Sequence, residues 1–281
     1  MRLPISEFKL QIVVLALALA TVAPGAQEST VDARRRNLDQ VLDLYVRDGY
    51  VYYRALRQDR RLLDAYLNGL ATASIDSASR DEQAAFWLNA YNALIFRTVI
   101  DHAPIPQRSR EYPAGSIRQI PGAFERLTHR VAGRTVTLDQ IEQTILPTFK
   151  DPRVYFALGR GSVGGGRLRS EAFTAAGLER QLAEVANECV TRAQCVAIDR
   201  GQNKVMVSSI FSWREKEFSA AYADKAAPGF SSRSPIERAV LAFVGPKLLT
   251  TEREFLATNE FRVEYAPFDW SLNDLTGRGG Q

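Results

Sequence analysis

The chain has 281 residues, of which 46% are hydrophobic and 24% charged, and its formal net charge is +4 at pH 7. This length and apolar content predict a globular protein, and no repeat or low-complexity linker divides it, so we expect a single domain over residues 30–281. The basic residues form no stripe interleaved with aromatics, and we therefore expect no nucleic-acid partner.

The N-terminus has the three-part pattern of a secretory signal peptide. Arg2 and Lys9 give a basic start, residues 12–23 are almost wholly apolar, and small residues follow up to Ala26. The apolar stretch is short for a bilayer span, which takes about 20 residues. We expect a signal peptide over residues 1–26 and an exported protein, periplasmic or extracellular, with no stable membrane span after cleavage.

Helical spacing of apolar residues predicts helices over residues 31–47 and 60–70, with a short extended piece at 50–56 between them. Ser79 and Glu82 have the spacing of a capping box, and the apolar run that follows to Ile100 predicts a buried helix. Asn89 and Asn92 fall within this run. They are expected either to tie neighbouring loops to the core or to line a site, since buried amides need hydrogen-bond partners.

The second half of the chain mixes short helices and strands. We expect a hairpin at 131–136, a helix that begins after Thr137 and stops at Pro147, and a strand at 154–158. Further elements are a helix at 178–190, strands at 196–198 and 205–208, helices at 213–223 and from Ser234 to Val244, and a strand at 261–265. The fold class is therefore α+β, a helix-rich single domain with a small, mainly antiparallel sheet.

Two cysteines, Cys189 and Cys195, are expected to form a disulfide, because the protein is expected to be exported. A nucleophilic thiol is the alternative and would need a base nearby. Two isolated cysteines without a Cys/His cluster predict no metal site. The two histidines, His102 and His129, lie far from the other candidates in sequence and are expected to be structural.

A glycine-rich, cationic loop at residues 159–169 follows the expected strand, which is where enzymes often place their chemistry. Gly159, Gly161 and Gly164 spell G-x-G-x-x-G, but no helix begins directly after them, as dinucleotide binding requires. We expect no cofactor. The nucleophile elbow G-x-S-x-G also fails around Ser162, because Arg160 stands where its first glycine should be.

Seven segments, taken in order, resemble the family called domain of unknown function 547. They are Asp48-Gly-Tyr-Val-Tyr-Tyr53, Ala85-Phe-Trp-Leu-Asn-Ala-Tyr-Asn-Ala-Leu94, Ser116-Ile-Arg118, Leu138-Asp-Gln-Ile-Glu142, Asp151-Pro-Arg-Val-Tyr-Phe-Ala-Leu158, Ser208-Ser-Ile-Phe-Ser-Trp213 and Asp269-Trp-Ser-Leu-Asn273. The resemblance allows a papain-like or transglutaminase-like fold. It also implies family histidines and cysteines that suggest a thiol nucleophile with a general base.

This chain departs from the family at those positions. Gln143 and Tyr155 stand where the resemblance implies histidine, and Arg160 and Gly165 where it implies cysteine. The two prolines that would follow Gly165 are Gly166 and Arg167. Glutamine, glycine and arginine cannot serve as a thiolate or as a base near neutral pH. We therefore expect no catalytic residue and a degenerate site.

A binding function remains open at the same place. Arg160, Arg167 and Arg169 beside glycine N–H groups are expected to hold a small anionic ligand, in a pocket that Asn89, Asn92, Glu142 and Tyr155 would line. Internal ion pairs and loop ties are the alternative roles for these residues. The chain is thus expected to be a binding or scaffold protein with a small anionic ligand or a protein partner. The competing hypothesis is a thiol-independent hydrolase or acyl-transfer enzyme at 154–169, with Tyr155 or Ser162 as nucleophile.

Overall fold

The structure is a computed structural model that describes residues 30–276, with side chains from residue 34. The expected signal peptide lies outside the described residues. Within them the chain forms ten α-helices: α1 Thr30–Tyr45, α2 Tyr53–Gln58, α3 Arg61–Ala71, α4 Arg80–His102, α5 Leu138–Gln140, α6 Leu178–Val190, α7 Ser209–Trp213, α8 Glu215–Tyr222, α9 Pro235–Val244 and α10 Thr250–Thr258. The strands are β1 Val46–Arg47, β2 Tyr50–Val51, β3 Thr128–Val131, β4 Arg134–Thr137, β5 Val196–Asp199, β6 Lys204–Ser208 and β7 Arg262–Ala266.

Helix α4 lies at the centre of the molecule. The Ser79 side chain accepts a hydrogen bond from the Glu82 N–H and so caps the first turn. From Ala84 to Ile100 nearly every side chain is buried, because the helix is apolar on most of its faces. Helices α2, α3 and α5 pack against it. The prediction of a long buried helix after Ser79 is confirmed.

The strands form three small sheets. The β1–β2 and β3–β4 pairs are antiparallel two-stranded sheets, and β5–β6–β7 form a third. In this third sheet β5 and β6 are antiparallel, while β6 and β7 are parallel and joined by the crossover through α7–α10. The predicted α+β class, helix-rich with small and mainly antiparallel sheets, is confirmed.

The expected strand at 154–158 is wrong. Its first three residues belong instead to a 3₁₀ helix, Pro152–Phe156. The Asp151 side chain accepts a hydrogen bond from the Arg153 N–H and so caps this helix, and proline occupies its first position. An apolar run this short fits a buried helical turn as well as a buried strand, so periodicity alone could not separate them.

Other boundaries also differ from expectation. The extended piece at 50–56 is strand β2 followed by helix α2, and the chain stays helical past Pro147, through a π turn at Ile141–Ile145 and a 3₁₀ helix at Leu146–Phe149. The predicted 213–223 helix is the last residue of α7, which begins at Ser209, followed by α8, which begins at Glu215. Helix α10 was not predicted.

The expected disulfide is confirmed. Cys189 lies at the end of α6 and bonds to Cys195, just before β5, with 5.3 Å between the two Cα atoms. Among residues 30–276 no helix has both the length and the apolar character needed to cross a bilayer.

Candidate functional site

The 154–169 segment runs through the interior of the protein. Residues 154–160 are all buried, and Arg160 is only 1% exposed with a left-handed backbone (φ 52°). Loops usually follow the surface, because a buried loop must satisfy its own polar groups. The contacts of this segment therefore show what occupies the candidate site.

Close backbone packing explains two of the loop glycines. A Cβ on Gly166 would lie 1.7 Å from the Phe156 carbonyl oxygen, and one on Gly165 would lie 2.0 Å from the Gly159 carbonyl oxygen. No side chain fits at either position while the backbone keeps this course. The cysteine that the resemblance implies at Gly165 is thus sterically incompatible with the loop as it is folded.

Four of the five loop glycines donate their N–H within the chain. Gly166 donates to the Leu158 carbonyl (2.8 Å) and Gly165 to the Ser162 carbonyl (3.2 Å). Gly159 donates to the Asn92 side-chain oxygen (3.0 Å), and Gly164 donates to the Asp269 carbonyl (2.8 Å). Four of the five N–H groups expected to hold an anion are therefore occupied by protein oxygens.

A buried charge cluster lies beneath the loop. Glu142, held inward by the π turn Ile141–Ile145, pairs with Arg160 (Nη2–Oε1 2.7 Å) and Arg214 (Nη2–Oε1 3.1 Å). The Tyr91 hydroxyl donates to the other carboxylate oxygen of Glu142, Oε2, at 3.0 Å. Burial alone would raise the pKa of Glu142, but the two guanidinium groups outweigh it and lower that pKa to about 2.

Arg160 satisfies the surrounding backbone as well. Its Nη1 donates to the carbonyl oxygens of Tyr155 (3.0 Å) and Leu158 (3.3 Å). Burial disfavours its charge, yet the adjacent Glu142 carboxylate raises its pKa overall. Arg160 therefore acts as the central tie of the segment in which it lies.

Arg214 contacts both residues that stand where the resemblance implies histidine, Gln143 and Tyr155. Its Nη1 donates to the Gln143 side-chain oxygen at 2.7 Å, and its guanidinium lies 4.4 Å from the centre of the Tyr155 ring. The Tyr155 hydroxyl is 3.4 Å from Glu217, and burial raises the pKa of Tyr155. Sequence reasoning missed Arg214, although it directly follows the family-like segment that ends at Trp213.

The two asparagines of α4 clamp neighbouring backbone. Asn89 donates to the Phe173 carbonyl and accepts from the Phe173 N–H, both at 2.8 Å. Asn92 donates to the Ala157 carbonyl (3.0 Å) and accepts from Gly159. Each amide thus uses both its ends to hold a loop against the central helix.

Arg167 and Arg169 lie apart from the charge cluster. Arg167 pairs with Asp48 and, at 3.5 Å, with Glu188. Arg169 pairs with Glu171 and Glu184, each at 2.7 Å. The structure therefore brings Arg160, Glu142, Tyr155 and Asn92 together, while the other two loop arginines are engaged by carboxylates elsewhere.

The last described residues cover the loop from outside. We call residues 268–273 the C-terminal strap. The Val163 N–H donates to the Ser271 carbonyl (2.9 Å), beside the Gly164–Asp269 bond. Trp213, 44% exposed, packs on Phe268 of the strap with 4.7 Å between ring centres, and Trp270 lies on Arg118 at 4.5 Å. The strap therefore packs on the middle of the loop, at Val163 and Gly164.

Ser162, one of the two candidate nucleophiles, has no activating base beside it in the described part of the chain. Ser162 is 3% exposed, and its hydroxyl has no hydrogen-bond partner among the described residues. Both histidines line a different cavity, of about 510 Å³, next to Asp101. Across residues 30–276 no group of three or more His, Cys, Asp or Glu side chains is arranged to hold a metal ion.

Comparison with known proteins gives one family match. The model of the family described as "Protein of unknown function, DUF547" matches residues 75–190, which contain α4, the hairpin, the 154–169 segment and α6. No curated protein and no solved structure matches the chain, so a papain-like or transglutaminase-like fold stays a prediction. Over residues 75–190 the chain is therefore similar to the DUF547 family.

Proposed function

We propose that this protein is an exported, catalytically degenerate DUF547 member that acts by binding or scaffolding. In this proposal the position of the family's reactive site has become a structural charge cluster. The proposal applies to the 154–169 segment and the residues that surround it. In this proposal the partner is bound by surfaces elsewhere on the molecule.

The observation that carries the proposal is the burial of Arg160 in a complete set of partners. Its charge is matched by Glu142, and its remaining donors meet backbone oxygens. Arg214 is balanced in turn by Glu142 and by Glu217, whose carboxylate lies 3.8 Å away. A site that binds a charged substrate keeps charged groups free for it, whereas the charges of this cluster pair with one another. The one buried atom of Arg160 and Arg214 without a hydrogen-bond partner among the described residues is the Nε of Arg214.

The competing hydrolase hypothesis needs a nucleophile within hydrogen-bond reach of a base. Ser162 has no such base, and Tyr155 stays protonated at neutral pH because burial raises its pKa. Glu217 is 3.4 Å from the Tyr155 hydroxyl, at the outer limit of a hydrogen bond. The geometry therefore supports binding better than catalysis.

The test is an activity screen of the mature protein against a fluorophosphonate probe and a series of p-nitrophenyl esters. We expect no labelling and no turnover above that of a Ser162→Ala/Tyr155→Phe double variant, with a known serine esterase as the positive control. Turnover by the wild type that disappears in the double variant, while that variant keeps its folded circular dichroism spectrum, would overturn the proposal.

Export is tested separately. Residues 1–26 are fused to a reporter enzyme that is active only outside the cytoplasm, and residues 30–281 fused to the same reporter serve as the matched control. We expect activity from the first fusion alone. Equal activity from both fusions, or none from either, contradicts export by this segment.

A further inference from the structure

A second cavity lies outside the family-matched region. It has a volume of about 680 Å³ and is bounded by the turn at residues 225–233, helix α9 and helix α10. Cavities that bind small molecules commonly have volumes of about 300–1,000 Å³. No residue of the charge cluster lines it, so its function can be tested independently.

The floor of this cavity is apolar. Leu241 of α9 and Leu256 of α10 are buried beneath it, and the rings of Phe230 and Phe261 meet edge to face at 6.1 Å. Ala257 lies at the edge and is exposed. Such a floor favours a ligand with an apolar body, since binding it removes apolar surface from water on both sides.

The rim of the cavity is cationic. Lys225, Arg233 and Arg253 line it against one carboxylate, Glu260. Arg233 is fixed: its guanidinium lies 3.8 Å from the Phe261 ring centre and donates to the Phe261 carbonyl. Arg233 also pairs with Glu237 at 3.5 Å, so among the described residues the cations of the rim that face Glu260 without an ion-pair partner of their own are Lys225 and Arg253.

Two of these cations have no internal anionic partner. Within the described part of the chain, neither Lys225 nor Arg253 forms an ion pair. The Lys225 ammonium lies 4.9 Å from the Tyr222 ring centre, and Arg253 donates only to the Thr250 hydroxyl at 3.2 Å. This differs from Arg160, Arg167 and Arg169, each of which is matched by a carboxylate.

We propose that this cavity binds a single-chain amphiphile with an anionic head. The apolar tail lies over Leu241, Leu256 and Phe230, and the head meets Lys225 and Arg253 at the rim. The charge of the rim selects an anion over a neutral or cationic head, while the floor selects a ligand with an apolar chain. The ligand enters as a monomer from solution.

The test is isothermal titration calorimetry with dodecanoate, kept below the concentration at which it forms micelles. Dodecyltrimethylammonium, which has the same chain and the opposite charge, is the matched ligand. We expect one dodecanoate per protein and at least about tenfold weaker binding of the cation. The variants Lys225→Glu and Arg253→Glu should each weaken dodecanoate binding by about fivefold or more, as expected for an exposed charge pair.

Two further variants locate the site. Ala257→Trp places a large ring in the cavity from an exposed position and should abolish binding. Lys216→Glu reverses the charge of an exposed lysine on α8, which does not line the cavity, and should leave binding unchanged. Thermal unfolding of each variant checks the fold, and if Ala257→Trp unfolds, the two rim variants decide the outcome.

Absence of dodecanoate binding, equal binding of the cationic amphiphile, or unchanged binding in both rim variants overturns the proposal. Binding only to phosphatidylglycerol vesicles, without binding of monomeric dodecanoate, also overturns it and indicates a membrane surface instead. None of these results bears on the closed site at 154–169, because the two sets of residues do not overlap.

Discussion

The charge cluster around Glu142 and the cavity between α9 and α10 use cationic side chains in opposite ways. In the first, Arg160 and Arg214 share a buried carboxylate and also bind carbonyl and amide oxygens. In the second, Lys225 and Arg253 stand at an open rim above an apolar floor and pair with no carboxylate in the described chain. The arginines of the first region are paired with carboxylates of the protein, whereas, within residues 30–276, Lys225 and Arg253 of the second are not.

The role of an arginine is therefore better judged from its ion-pair and hydrogen-bond partners in the structure than from the residues next to it in the sequence. The glycine-rich loop has the composition of a binding loop, yet its charges and most of its glycine N–H groups are used internally. The cavity between α9 and α10, which we call the C-terminal cavity, is marked by no sequence motif. A buried charge needs a partner in the fold, while an exposed unpaired charge is available to a ligand.

The largest expected effect tests whether the cluster is structural. Glu142→Gln leaves Arg160 and Arg214 buried without their shared carboxylate and should lower the free energy of unfolding by about 3–5 kcal/mol. Urea denaturation measures it. Asp76→Asn, which breaks the exposed pair with Arg134, is the control and should cost less than about 1 kcal/mol. Equal losses in the two variants would contradict a structural role for the cluster.

Gly166→Ala tests the packing of the loop. The new methyl group would overlap the Phe156 carbonyl, so we expect a loss of about 3 kcal/mol in the free energy of unfolding. Gly245→Ala is the control, because a Cβ there meets nothing within 4 Å and the backbone is helical. It should be neutral or slightly stabilising. If the Gly166→Ala variant is as stable as the wild type, the loop backbone does not lie this close to the Phe156 carbonyl.

The pH dependence of stability sharpens the role of Glu142. Folding lowers its pKa from an ordinary 4.5 to about 2, so the ionised form favours the folded state. The lowered pKa contributes about 3 kcal/mol to the free energy of unfolding above pH 4.5, and this contribution is lost as the pH falls from about 4.5 to about 2. The stability difference between wild type and Glu142→Gln should therefore shrink across this range in urea titrations. A constant difference would show that the carboxylate is not held ionised.

The smallest expected effect concerns the disulfide. Cys189 and Cys195 lie beside Gly165, Gly166 and Arg167, far from the C-terminal cavity. Replacing both cysteines by serine should cost about 2 kcal/mol, because the bond closes only a short loop. Urea denaturation checks this loss, and dodecanoate affinity should not change. A large change in affinity would show that the two regions are coupled.

Much of the fold follows from local sequence. Ser79 and the apolar run after it predict α4, and Ser234 with Pro235 predicts the start of α9, because capping and helical periodicity act over a few residues. The bounds of α6 were predicted in full. The helical turn at Pro152–Phe156 was not, since a short buried apolar run has no distinctive period.

The site itself was only partly predictable. Glu142, Arg160 and Tyr155 were named, but their pairing joins residues distant in sequence, and Arg214 lies 72 positions beyond its partner Glu142. The strap covers the loop through backbone bonds such as Val163–Ser271, which depend on no side-chain type and so leave no trace in the sequence. The C-terminal cavity depends on how helices pack, which local patterns do not specify.

The close backbone packing of the loop also restricts which residues it can contain. Cysteine at position 165 would place a side chain against the Gly159 carbonyl, and proline at position 166 would remove the N–H that donates to the Leu158 carbonyl. Either substitution alone would therefore damage the fold. A thiol at position 165 requires a different course of the loop, so single substitutions at Gly165 or Gly166 cannot add one to the protein as it is folded.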